Sequence, residues 1–100
     1  MIKEALEVSR EVPLRHSYHV LTKLMEEVGE LAQEINIREG VVDKPVGKDG
    51  VIGEALDVVN CALDLIYLDN NYITEEEIMD RFKLKLKKWR SKCIVNENKD

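Results

Sequence analysis

Apolar side chains recur three and four residues apart in the first half of the chain, which is the spacing of amphipathic helices. The first such segment covers residues 2–12 and ends before Pro13, because proline cannot continue a helix. The second covers about residues 17–38. Ser17 is suited to cap its start, and Gly40 is a stop signal. Two consecutive helices are therefore predicted before residue 40.

The second half predicts two further helices. Residues 40–50 contain three glycines and a proline, which is typical of a loop. A helix is then predicted over residues 51–69, and it is apolar around most of its circumference, so we expect it to be the most buried. Thr74 followed by Glu77 forms a capping box that opens the last helix, residues 75–93.

Composition favours one helical domain. The chain has 100 residues, 44% of them hydrophobic, with five glycines, two prolines and 5% aromatic residues. That length supports one core, and this profile favours helices over a sandwich or a barrel. We predict an all-α four-helix bundle in a single domain over residues 1–93, with a flexible C-terminal tail over residues 94–100.

Charge and apolar content limit the partners. A net charge of −5 argues against a general nucleic-acid-binding surface, which is normally basic. No apolar run is long enough to span a bilayer. Cys61 and Cys93 lack the spacing of a metal site and are interpreted as free thiols. We expect a cytoplasmic protein without a nucleic-acid or membrane partner.

The second helix carries an acidic ridge beside its apolar stripe. The stripe comprises Leu21, Leu24, Val28, Leu31 and Ile35. On the helical wheel Glu27 lies at the edge of this stripe, with Glu26 and Glu30 beside it. Taken alone, the ridge is best interpreted as a solvated face, and Glu34 is assigned to plain surface.

Two carboxylates in the third helix change that interpretation. Glu54 and Asp57 lie on a helix that should be buried and that contains no Lys or Arg. A buried carboxylate costs several kcal/mol unless it is paired or bound to a metal. If the two helices are antiparallel, Glu27 and Glu30 can face Glu54 and Asp57, which gathers four oxygen donors around one point.

The residue types indicate which metal such a site would hold. A ferritin-type di-iron site needs Glu-x-x-His, and His16 and His19 precede the acids without that spacing. All-carboxylate ligation suits hard cations, so we expect Mg²⁺, with Mn²⁺ as a possible substitute. Such a site is suited to phosphate chemistry.

The acidic residues resemble a known family. Residues 26–30 read EEVGE and residues 54–57 read EALD, which fit the pattern EExxE followed by ExxD. With the wording "EEVGELAQEI" and "EALDVV", the chain resembles the MazG family of all-α nucleoside triphosphate pyrophosphohydrolases, over about residues 17–90. The resemblance implies hydrolysis of a nucleoside triphosphate between its α- and β-phosphates, releasing monophosphate and pyrophosphate.

The same resemblance assigns roles to the acids. It places Mg²⁺ on Glu27, Glu30, Glu54 and Asp57. It makes Glu26, together with Glu27, a catalytic residue, either as a neighbour of the metal ligands or by orienting and deprotonating the attacking water.

Three further residues are candidates for substrate binding, each with a plainer alternative. Lys23 lies one turn before Glu27 and either contacts phosphate or balances the acidic ridge. Asn60 either binds the sugar or base of the substrate or forms its hydrogen bonds within the bundle. His16 precedes the metal helix, where the family places base-contacting residues, or it is structural.

The last helix ends in the basic sequence "KLKLKKWR". The resemblance suggests that Lys85, Lys88 and Arg90 contact phosphate, although Trp89 stands where the family has Asn. A solvated basic face is the alternative. Trp89 itself is expected in the core or at a subunit interface.

Three functional interpretations remain open. The first is a magnesium-dependent nucleoside triphosphate pyrophosphohydrolase that controls the nucleotide pool or removes unwanted triphosphates from it. A phosphoribosyl-ATP pyrophosphohydrolase is a related alternative, and a non-catalytic helical interaction or regulatory module is a third. We expect a homodimer or a dimer of dimers, because so short a chain buries more apolar surface by association.

Overall fold

The computed structural model describes the backbone of residues 1–98 and the side chains of residues 1–94. Its elements are α1 (Ile2–Glu11), α2 (Ser17–Arg38), α3 (Gly50–Asp69) and α4 (Glu75–Asn98). The described residues contain no strand. The prediction of an all-α protein with four helices is confirmed. None of the described helices is long and apolar enough to cross a bilayer.

The helices pack unequally. α2 and α3 form an antiparallel pair in contact along their lengths, and α1 packs on α3. α4 packs against α1 and not along α2 or α3. A small core of Leu6, Ile73 and Ile78 forms where α1 meets the start of α4. The rest of α4 therefore extends beyond the helices of its own chain.

The residue that caps α2 lies one position earlier than the sequence predicts. His16, and not Ser17, is the cap, since the His16 Nδ1 accepts a hydrogen bond from the Tyr18 N–H at 3.2 Å. The His16 and Tyr18 rings also stack, with centroids 4.6 Å apart. An imidazole nitrogen here replaces the hydroxyl oxygen of an ordinary cap.

The predicted stop at Gly40 is confirmed. Gly40 has φ of 76°, a left-handed conformation that costs a residue with a Cβ more than glycine. Its N–H donates to the Ile37 carbonyl at 3.1 Å, and the Val41 N–H donates to the Asn36 carbonyl at 2.8 Å. These two bonds are the Schellman arrangement, which satisfies the last carbonyls of α2.

The α4 helix starts as predicted and extends further. The Thr74 hydroxyl oxygen accepts a hydrogen bond from the Glu77 N–H at 3.1 Å. The Glu77 carboxylate lies 3.6 Å from Arg81. The helix continues to Asn98, so most of the segment predicted as a tail is helical, and residues 99–100 lie outside the described part.

The buried face of α2 is rotated relative to the predicted stripe. Its most buried residues are Val20, Glu27 and Glu34, spaced seven apart. Val28 and Ile35, predicted for the core, are exposed. The acidic side of α2 therefore faces α3. The apolar residues of the predicted stripe are divided between this buried face and the solvent-exposed face.

Of the four helices, α3 has the smallest share of exposed residues, as predicted, but in the single chain it is only half-buried. None of its side chains is fully buried, and Ile52 is 78% exposed. Leu56 and Val59 are also exposed. The physical reason is that α4 does not cover the outer face of α3.

An ion pair fixes the connection between α1 and α2. The Arg15 guanidinium donates two hydrogen bonds to the Asp64 carboxylate on α3, one of them from Nε at 2.9 Å. It also donates to the Ser9 carbonyl at 3.2 Å. Burial alone raises the pKa of Asp64, but hydrogen bonds from Arg15 and Ser9 outweigh it and hold that pKa below its ordinary value.

Candidate metal centre

Carboxylates from α2 and α3 meet between the two helices. Glu27, Glu30 and Glu54 each place an oxygen within 4.8 Å of the others. A second group, Asp49, Glu54 and Asp57, meets the same distance criterion of 4.8 Å. The other three predicted metal ligands, Glu27, Glu30 and Asp57, therefore lie around Glu54, which belongs to both groups.

Two oxygens at this centre have no hydrogen-bond partner. Glu27 is only 7% exposed. Among the described residues, its Oε2 and the Oε2 of Glu54 are buried without a hydrogen bond. An unsatisfied buried polar atom destabilises a fold by roughly 1–3 kcal/mol. Both atoms lie where an oxygen-liganded cation would be coordinated, so the residues present fit a hard divalent ion.

The electrostatics of Glu54 also favour a cation. Desolvation raises the pKa of Glu54, and the charge of Glu30, a hydrogen bond shared with Glu30, and the charges of Asp57 and Glu27 raise it further. A raised carboxyl pKa means that the ionised form is disfavoured in its surroundings. A bound divalent ion would reverse that preference.

The Lys23 ammonium group forms ion pairs with glutamates of the acidic ridge. Its Nζ lies 3.1 Å from the Glu27 Oε1 and 3.9 Å from the Glu26 Oε2. The hydrogen bond to Glu27 raises the pKa of Lys23. The contacts therefore match the charge-balancing alternative for Lys23. Glu26 points into solvent next to the centre, with 61% of its side chain exposed.

Asp49 was not found by sequence reasoning. It occupies the cap position of α3 without capping the helix through its side chain. Its Cβ lies so close to Gly53 that any side chain at position 53 would displace it. Gly50 follows it with φ of 67°. The sequence Asp-Gly-x-x-Gly was the available signal, because two glycines at these positions permit a close approach.

Glu34 is not plain surface, contrary to the sequence prediction. It is 7% exposed, and its Oε1 accepts a hydrogen bond from the Gly47 N–H at 2.6 Å. The loop before α3 folds back over α2 and covers the carboxylate. The wheel could not show this contact, because the covering group belongs to a loop.

Other predicted substrate-binding residues lie elsewhere. Asn60 lines a cavity of about 360 Å³ between α1 and α3. His16 caps α2. The basic residues Lys85, Lys88 and Arg90 are on α4, which packs against α1 and not beside the carboxylates of its own chain.

Comparison of the chain with protein families, with characterised proteins and with solved structures finds no match. The interpretation of the site therefore depends on its own chemistry. Its defining features are three converging carboxylates, two unpartnered buried oxygens and an adjacent exposed glutamate.

Proposed function

We propose that the protein is a magnesium-dependent pyrophosphohydrolase, which converts ribo- or deoxyribonucleoside triphosphates to monophosphate and pyrophosphate. The observation that carries the proposal is the pair of buried, unpartnered oxygens of Glu27 and Glu54 at a junction of carboxylates. A chain that keeps such a junction between packed helices gains stability from a cation. The MazG-like order of the acids along the sequence points to the same chemistry.

The side chains supply distinct parts of this reaction. Glu27, Glu30, Glu54 and Asp57 would hold the ion. Mg²⁺ bound there would neutralise phosphate charge and lower the pKa of a bound water. Mn²⁺ suits the same ligands, whereas the absence of histidine from both carboxylate groups disfavours iron.

The exposed position of Glu26 suits a general base. Water attacks the α-phosphorus, the bond from that phosphorus to the α,β-bridging oxygen breaks, and pyrophosphate leaves. The proton of the attacking water passes to the Glu26 carboxylate, which is open to solvent beside the metal ligands. Glu27, held by Lys23, keeps the nearby ligand oxygens in place.

We propose further that a second copy of the chain covers the open apolar faces. Trp89 is 66% exposed, and Phe82 and Leu86 are exposed on the same helix. Residues 83–92 carry six Lys or Arg and no acid, whereas the whole chain has a net charge of −5. The α4 helix therefore complements the acidic remainder of another copy. In such a homodimer or dimer of dimers, the basic residues of α4 reach phosphate across the subunit boundary.

A panel assay tests the activity. Purified protein with Mg²⁺ is given ribo- and deoxyribonucleoside triphosphates, and monophosphate, pyrophosphate and orthophosphate are quantified. We expect equal amounts of monophosphate and pyrophosphate. Glu54→Gln and Asp57→Asn should lower kcat at least 100-fold, and Glu76→Gln, an exposed acid on α4, should not. Release of orthophosphate, or full activity in the two site variants, would contradict the proposal.

A further inference from the structure

A cavity of about 250 Å³ adjoins the metal centre. Its acidic lining comes from Glu30, Glu34 and Glu54, and Lys44 and Gly47 line it from the loop between α2 and α3. Among the described residues, Lys44 is the only basic one that lines this cavity. Within the described part of the chain it forms no ion pair with a carboxylate. Its ammonium group is therefore available to an anion that enters beside the metal ligands.

The loop that carries Lys44 is tied to α2 at two points. On one side, the N–H groups of Val41 and Val42 donate to the Asn36 carbonyl, at 2.8 and 3.3 Å. On the other side, the Gly47 N–H donates to the Glu34 carboxylate. Only four residues lie between Val42 and Gly47, so the backbone at Lys44 can move only a short distance relative to α2.

The hydrogen bond from Gly47 to Glu34 requires both a buried acceptor at position 34 and the absence of a side chain at position 47. A Cβ at position 47 would overlap the Glu34 Oε1. Glu34 is itself nine-tenths buried, so its carboxylate has little room to retreat. Glycine is therefore needed for the close approach of backbone to carboxylate.

We propose that Lys44 binds the phosphate chain of the substrate, and that Glu34 and Gly47 are positioning residues that hold the loop so that Lys44 faces the cavity. The inference rests on the proposed function, since it assigns a phosphate contact at the same site. A polyphosphate needs cations on the side that faces away from the metal ligands. Lys23 is engaged by Glu27. Lys44 lines the cavity beside the ligands and meets that need from within the same chain, whatever the α4 residues of a second copy add.

The first test measures the tie without any substrate. Hydrogen exchange of the Gly47 amide, followed by NMR on the full chain, should accelerate at least 10-fold in Glu34→Ala. It should remain slow in Glu34→Gln, whose carbonyl oxygen still accepts the bond, and in Lys44→Ala. Unchanged exchange in Glu34→Ala would overturn the role of Glu34.

The second test measures the phosphate contact without turnover of a nucleotide. Calorimetry with inorganic tripolyphosphate and Mg²⁺ should show about 10-fold weaker binding for Lys44→Ala, while Lys48→Ala, an exposed lysine of the same loop, binds as the wild type does. Glu34→Ala and Gly47→Ala should weaken binding similarly. Gly29→Ala, where a Cβ meets open space, should not.

A double variant separates positioning from direct contact. If Glu34 acts through Lys44, Glu34→Ala with Lys44→Ala binds tripolyphosphate no more weakly than Lys44→Ala alone. Additive losses would overturn the positioning role. Wild-type binding by Lys44→Ala, or no binding by the wild type, would overturn the phosphate contact.

The two proposals can fail separately. If no nucleoside triphosphate is hydrolysed but tripolyphosphate binding depends on Lys44, the proposed activity is wrong and the phosphate contact stands. If hydrolysis is found and Lys44→Ala leaves both tripolyphosphate binding and the KM for nucleotide unchanged, the activity stands and the assignment of Lys44 is wrong.

Discussion

Glu54 combines charge, burial and crowding in one side chain. Desolvation, and then the neighbouring carboxylates, raise its pKa, and one of its oxygens has no hydrogen-bond partner in the described residues. The sequence placed Glu54 and Asp57 on an apolar helix with no Lys or Arg, and this was enough to predict a need for compensating charge at Glu54. The helical pattern did not show that Glu54 is shared between two groups of acids, because Asp49 precedes α3 and its signal is the glycine spacing and not the helical period.

We therefore predict that Glu54→Gln raises the melting temperature of the metal-free protein by roughly 2–5 °C, because it removes like-charge repulsion. The same variant should lose the stabilisation by Mg²⁺. For the wild type, Mg²⁺ at 100 times its Kd adds about 2.7 kcal/mol, which corresponds to roughly 11–22 °C. Thermal melting with and without Mg²⁺ measures both effects, with Glu76→Gln as the matched control. A metal-free Glu54→Gln protein that melts below the wild type would contradict this prediction.

The Arg15–Asp64 pair gives a second prediction at the residue scale. Arg15→Met leaves the half-buried Asp64 without its main partner, and we expect a loss of roughly 1–3 kcal/mol in the free energy of unfolding at pH 7. Because the folded-state pKa of Asp64 is lowered, the pair stabilises the protein above the unfolded pKa, and that stability is lost as pH falls through the folded pKa. Urea titrations should show the two proteins converging below about pH 4. A constant difference down to pH 2 would contradict this assignment.

At the level of elements, the helix ends were the most predictable features. Gly40 and the Thr74 cap act through local geometry, which the sequence encodes directly. The rotation of α2 was not predictable in the same way. Its apolar residues cover more than one face, and the face that becomes buried depends on where α3 and the loop lie.

The Schellman end of α2 can be tested by a pair of glycine substitutions. Gly40→Ala places a Cβ on a left-handed residue and should destabilise the protein by about 1–2 kcal/mol. Gly29→Ala, within α2 and facing open space, should stabilise it by about 0.5–1 kcal/mol. Chemical denaturation of both variants measures the contrast. Equal effects would show that the conformation of Gly40 is not what ends the helix.

At the scale of the whole molecule, the single chain leaves large apolar side chains uncovered on α3 and α4. The sequence predicted both that α3 should be buried and that Trp89 lies in a core or an interface. In one chain α3 is only half-buried, and Trp89 is exposed. The two mismatches have a common explanation if a second copy supplies the missing cover.

Trp89 is the only tryptophan, so its fluorescence reports on this assembly. We expect the emission maximum to shift to shorter wavelength as protein concentration rises. Trp89→Glu should shift the sedimentation equilibrium to monomer and lower the melting temperature, because subunit association stabilises the fold. Glu76→Gln, an exposed acid at the start of α4 outside the basic segment 83–92, is the control and should leave the equilibrium unchanged. A wild-type protein that sediments as a monomer at all concentrations would contradict the proposed assembly.

The two buried carboxylates of α2 also bear on how the helices find their alignment. Glu27 and Glu34 are seven residues apart, so they present acceptors two turns apart along one seam. Sliding α2 by one turn would move Glu27 away from Glu54 on α3. It would also take the buried Glu34 carboxylate away from the Gly47 amide and leave that charge without its hydrogen-bond donor. Two helices with so much apolar surface would otherwise pair in several registers. The acids that we propose as metal ligands, together with Glu34, therefore also favour one register.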